Sequence, residues 1–163
     1  MRRVYVLLAM IFISSNVFSS ELESHLQFLE PFLGKNWMGG FTGDDAPPFR
    51  ISLLFEPILD GRVVKYSREV KDADFASVTQ FYWDPKNVEV RFLSLNNRGI
   101  VEEGTVRIDG DKVVLQGNSY RSDVTIEFKT ILSIDAQGTL RDTFLRKQDG
   151  EWTQGHIQEF VAQ

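Results

Sequence analysis

The chain of 163 residues contains no cysteine, two histidines and only five prolines. Without cysteine there can be no disulfide, no thiol nucleophile and no thiolate metal site. With His25 and His156 alone, a histidine-rich metal centre cannot be built from one copy. No apolar run approaches the roughly 20 residues that a membrane-spanning helix needs. There is no Gly-x-Ser-x-Gly elbow, no His-Glu-x-x-His, no phosphate-cradling glycine loop and no dinucleotide fingerprint. Basic residues are also in deficit, 18 against 23 acidic ones. An acidic chain repels phosphates, so nucleic acid is excluded as a partner. No low-complexity tract and no long-period repeat is present.

What is present begins with a segment that resembles a secretory signal peptide. Arg2 and Arg3 precede an apolar run from Val4 to Ile13, followed by small and polar residues to Ser19. Val17 and Ser19 suit the positions three and one before a cut, which is placed after Ser19. Residues 1–19 are therefore expected to be removed, and residues 20–163 to form one exported domain, periplasmic or extracellular. The mature chain would have no integral membrane span. Cleavage takes two of the 18 basic residues and none of the 23 acidic ones, leaving a formal charge of −7. With 42% apolar residues, such a domain can build a core by packing alone.

The remainder reads as strands. From Val88 to Ser119, three extended runs are divided by Asn96-Asn97-Arg98-Gly99 and Asp109-Gly110-Asp111, each run with one apolar side. Similar units lie on both sides. Arg50–Ile58 turns at Asp60-Gly61 into Arg62–Lys71, where Val64, Tyr66, Arg68 and Val70 share a face. Ala76–Trp83 is rich in aromatic and branched residues. Val124–Ile134 alternates throughout, Gln137-Gly138 leads into Thr139–Arg146, and Asp149-Gly150 into Trp152–Val161. Before the strands, Glu21–Leu33 carries Leu22, Leu26, Leu29 and Phe32 or Leu33 at helical steps, and ends at Gly34. This helix either packs over one end of the sheet or forms a lid on a cavity mouth.

About ten strands joined neighbour to neighbour by short turns specify an all-β, antiparallel up-and-down barrel with one short N-terminal helix. Closure removes the exposed sheet edges. A barrel of that size encloses more room than side chains readily fill, so an internal cavity is expected.

Several stretches resemble the calycin-type barrels, namely lipocalins, fatty-acid-binding proteins and the nitrobindin-like group. They are Gly34-Lys35-Asn36-Trp37-Met38-Gly39, Leu59-Asp60-Gly61-Arg62, Tyr82-Trp83-Asp84-Pro85 and Gly99-Ile100-Val101-Glu102-Glu103-Gly104. The resemblance is greatest to secreted bacterial members and covers nearly all of the mature chain. Its motifs are structural, so it implies a fold more than an activity.

Candidate site residues are those that alternation sets among apolar neighbours. Tyr66, Arg68 and Glu102 are the polar ones; Tyr82, Phe92 and Phe128 contribute an aromatic wall. Arg68 suits a ligand carboxylate or an ion pair with Glu102. In the last strand Trp152, Gln154, His156, Gln158 and Phe160 are placed inward, although a bulge would exchange the faces of any strand. The expected function is non-enzymatic: an exported barrel holding a small hydrophobic or amphipathic molecule, with no cofactor. The resemblance to nitrobindins implies a second reading, haem held by His156, as nitrobindins hold haem through one histidine on the last strand. A third is an envelope structural or interaction protein with a filled barrel. Asp109-Gly110-Asp111 and Asp44-Asp45 are explained by turn and loop chemistry rather than by calcium.

Overall fold

Alternating branched and aromatic residues fold into ten strands in the computed structural model, which describes residues 21–163. The expected signal peptide, residues 1–19, lies outside the described residues. The strands are β1 (Asn36–Phe41), β2 (Ile51–Ile58), β3 (Val63–Val70), β4 (Phe75–Asp84) and β5 (Glu89–Asn96). They continue with β6 (Val101–Asp109), β7 (Lys112–Arg121), β8 (Val124–Ile134), β9 (Leu140–Gln148) and β10 (Glu151–Ala162). Each pairs antiparallel with its chain neighbour, and β1 pairs with β10 to close the barrel. The all-β up-and-down barrel read from the sequence is therefore the observed fold.

The short N-terminal helix expected from the sequence is present. It is a 3-10 helix, Ser24–Phe32, rather than an α-helix. Leu26, Leu29 and Phe32 recur every third residue, which is the period that brings side chains into line on a 3-10 helix, and all three are buried. Pro31 lacks the N–H that another α-helical turn would need. The helix closes the end of the barrel where β2 turns into β3 and β4 into β5. The Glu23 N–H donates to the Gly61 carbonyl at 3.0 Å, and the His25 ring stacks on Trp83 with centroids 3.7 Å apart. Trp37 Nε1–H donates to the Phe32 carbonyl at 3.0 Å, tying β1 to the last turn of the helix.

Two glycines leave no room for side chains on the far wall. Gly104 and Gly117 face each other across β6 and β7, between Phe92 on β5 and Phe128 on β8. A Cβ on Gly104 would stand 2.1 Å from the Gln116 carbonyl oxygen, and one on Gly117 2.0 Å from that of Glu103. No side chain fits there, so the backbones approach closely. The rings of Phe92 and Phe128 then meet edge to face over the gap, centroids 5.9 Å apart.

Candidate functional site

With one end closed by the helix, the other end leads into a cavity of about 310 Å³. Its lining comes from inward positions of β3 to β9 and from β10. Side chains such as Phe32 and Phe55 fill the interior at the helix end, and the cavity lies toward the other. The helix lies over the opposite end, against β3 and β4, and is not a lid on this mouth.

The two sides of the cavity differ in chemistry. Pairing sets Tyr66 opposite Thr79, Thr79 opposite Ser94, and Ser94 opposite Glu102, a polar row across β3, β4, β5 and β6. Thr79 Oγ1 donates to Ser94 Oγ at 3.0 Å. One step toward the mouth, Arg68 stands opposite Ser77, and Ser77 opposite Asn96. The other side carries Leu115, Phe128, Leu132 and Phe144, interrupted by Arg121, Thr130 and Asp142. Phe128, Phe144 and His156 form an offset stack, with centroids 5.8 and 5.0 Å apart and planes within 23° and 9°.

At the centre is a buried cluster. Arg68 donates through Nη2 and Nε to the Tyr66 hydroxyl, at 2.8 and 3.2 Å, and Nη2 also donates to Asp142 Oδ2. Asp142 is only 1% exposed, and the Arg68 side chain 19%. Burial pushes the Tyr66 hydroxyl up to about 12, against the opposing pull of Arg68, so it keeps its proton at neutral pH. Burial by itself would lower the Arg68 guanidinium, but Tyr66 and Asp142 outweigh it and hold it above its ordinary value. Arg68 is thus a fixed charge with a built-in counter-ion.

Of the residues singled out from sequence, Tyr66, Arg68, Phe92, Glu102, Phe128 and His156 all line this cavity. Tyr82 does not. It is adjacent to inward-facing Phe81, so the strand pleat turns it to the outer wall, opposite Val63 and Arg91. Trp152 and Gln154 also face outward, contrary to expectation. A bulge between Gln154 and His156, containing Gly155, exchanges the faces of β10 before it. Trp152 packs instead beneath Lys129 and Lys147, whose ammonium groups stand 4.1 and 5.8 Å from its ring. Beyond the bulge His156 and Gln158 point inward as expected. The ion pair offered for Arg68 with Glu102 is not made, because Asp142 takes that place.

Asp142 is the charged partner of Arg68 that the sequence did not point to. Its signal was the one that singled out Arg68: a charged residue alternating with apolar Leu140 and Phe144. Adjacent Phe144 and Leu145 blur that alternation, since either could mark the inner face.

Burial lowers the affinity of the half-buried His156 for a proton, with Asp142 opposing and Arg68 reinforcing the effect. The folded state then binds a proton less readily than the unfolded chain. Stability contributed by neutral His156 is complete above the unfolded value of about 6.5 and is lost as pH falls through the folded one. Urea unfolding from about pH 7 to pH 5 is expected to show a loss of stability that becomes shallower in His156→Gln. Equal slopes in the two proteins would remove His156 as the source.

No family model and no curated protein matches this chain. Among solved structures, the crystal structure of Rv2717c from M. tuberculosis superposes with a TM-score of 0.57 at 16% sequence identity. The match covers 88% of this chain and 99% of that one. At that identity the likeness establishes the barrel fold alone.

Proposed function

We propose that this protein is an exported, calycin-like barrel that binds a small hydrophobic or amphipathic molecule in its interior. The observation carrying this reading is the cavity of about 310 Å³, with an aromatic side, a hydroxyl-lined side and a buried Arg68–Asp142–Tyr66 cluster. Small-ligand sites are built this way, with apolar walls supplying affinity and a few fixed polar groups setting orientation. The volume lies near the lower end of the usual range of roughly 300–1,000 Å³, which favours a compact ligand. Among the described residues no helix is long and apolar enough to cross a membrane.

The test is titration of residues 20–163 with N-phenyl-1-naphthylamine, an uncharged dye that brightens in apolar surroundings. Saturation near about one dye per chain is expected, with loss of the response in Ser94→Trp, whose indole would occupy the cavity. An unsaturable response, or one that Ser94→Trp leaves intact, would sink the reading.

Haem held by His156 is the second reading. It is favoured by the placement of the ring: on the cavity wall, half-buried, kept neutral by burial and flanked by Phe144 and Phe41. A neutral imidazole is a suitable axial ligand, and these two phenyl groups would fix its orientation. Haemin added to the same protein would then give a saturable Soret shift that disappears in His156→Ala. A flat response would eliminate haem and leave the first reading in place.

A further inference from the structure

We infer that the cavity selects an uncharged molecule ending in a hydroxyl group and rejects the corresponding carboxylate. The inference rests on the ligand-binding reading above and extends it to the chemistry of the ligand's polar end. Four charged side chains line the cavity: Arg68 and Arg121 against Glu102 and Asp142. Their charges cancel. The most deeply set cation, Arg68, is already engaged by Asp142 and by the Tyr66 hydroxyl. A carboxylate arriving there would meet Asp142 across the same guanidinium. Either two anions would share one buried cation, or Asp142 would lose its partner inside the barrel.

The free hydrogen-bonding capacity points the same way. Tyr66 accepts two bonds from Arg68, at 2.8 and 3.2 Å, which uses both of its lone pairs. Its own proton remains to be donated, and burial keeps that proton in place. Ser94 likewise accepts from Thr79 and retains its proton. On the acceptor side, Asp142 Oδ1 is buried without a hydrogen-bond partner among the described residues. A head group that both accepts and donates matches either kind, whichever of them it reaches. An alcohol does this, whereas a carboxylate has no proton to give to Asp142.

The experiment displaces N-phenyl-1-naphthylamine from the protein with 1-octanol or with octanoate, which share one chain length and differ in the head group. At about pH 7 octanoate is ionised. Octanol is expected to displace the dye at a concentration at least about tenfold lower than octanoate. In Asp142→Asn the Arg68 charge loses its counter-ion, so octanoate should gain and the order should reverse. The double variant Arg68→Gln with Asp142→Asn removes both charges and should restore the preference for the alcohol. Octanoate equal to or better than octanol on the unmodified protein would overturn the inference while leaving the cavity a binding site. Dye that binds but is displaced by neither would overturn it too. Failure of the dye itself to bind would count against the ligand-binding reading from which the inference starts. Because the unmodified protein already decides between the two head groups, the test holds even if a variant fails to fold.

Discussion

Asp142→Ala is expected to destabilise the barrel by about 3–5 kcal/mol in urea unfolding, at the lower end of that range because Arg68 keeps some exposure. The cost does not measure the attraction between the two charges. It arises because Arg68, which remains protonated, would be left in the interior without its carboxylate partner. The Tyr66 hydroxyl is a neutral acceptor and cannot replace that charge. Removing both members with shape-matched apolar residues, Arg68→Met with Asp142→Leu, should therefore recover most of the loss, since the penalty of desolvating two ions disappears with them. A loss below about 1 kcal/mol in the single variant would mean that solvent, not Asp142, compensates Arg68. A double variant no better than the single one would show that the site needs the pair for its packing.

Trp37→Ala is expected to cost about 3–5 kcal/mol, the range for truncating a buried aromatic. Trp37 is 1% exposed and sits in the core with Leu53 beside it on β2. Its Nε1–H also satisfies the Phe32 carbonyl at the end of the helix. The variant would lose both the indole packing and the link that holds the closing helix against β1. Amide exchange should therefore accelerate most in Ser24–Phe32 and in β1, and less in β5 to β7 across the barrel. Uniform acceleration would mean that Trp37 supports the barrel globally rather than this end of it.

These two residues differ in how readily they were seen. Trp37 stands in a Gly-x-x-Trp stretch at the head of the first strand, one of the stretches that carry the calycin resemblance. Asp142 could not be assigned a role, because a carboxylate on a strand is ordinarily a solvated one. Only pairing β9 with β10 and closing β10 on β1 brings it across the interior to Arg68, 74 residues earlier in the chain. The binding candidates divide similarly. Tyr66, Arg68, Phe92, Glu102 and Phe128 were placed correctly because their strands alternate without interruption. Tyr82 was not, since Phe81 and Tyr82 are both aromatic and only one of two neighbours can face inward. Trp152 and Gln154 were misplaced by one bulge, and a period of two has no tolerance for an inserted residue.

Local patterning was enough to specify an all-β chain of about ten strands in up-and-down order, with a short helix first. Those features depend on local quantities: alternation of apolar and polar residues, turn residues at short intervals, and apolar spacing in the first segment. Tertiary packing set the helix as a 3-10 helix over the end away from the cavity. It also decided that the aromatic and hydroxyl-bearing sides face each other, and that the buried arginine carries its own counter-ion. Each of these depends on which residues closure brings together across the barrel. That is set by register and shear summed over ten strands, and no short stretch of the chain contains it.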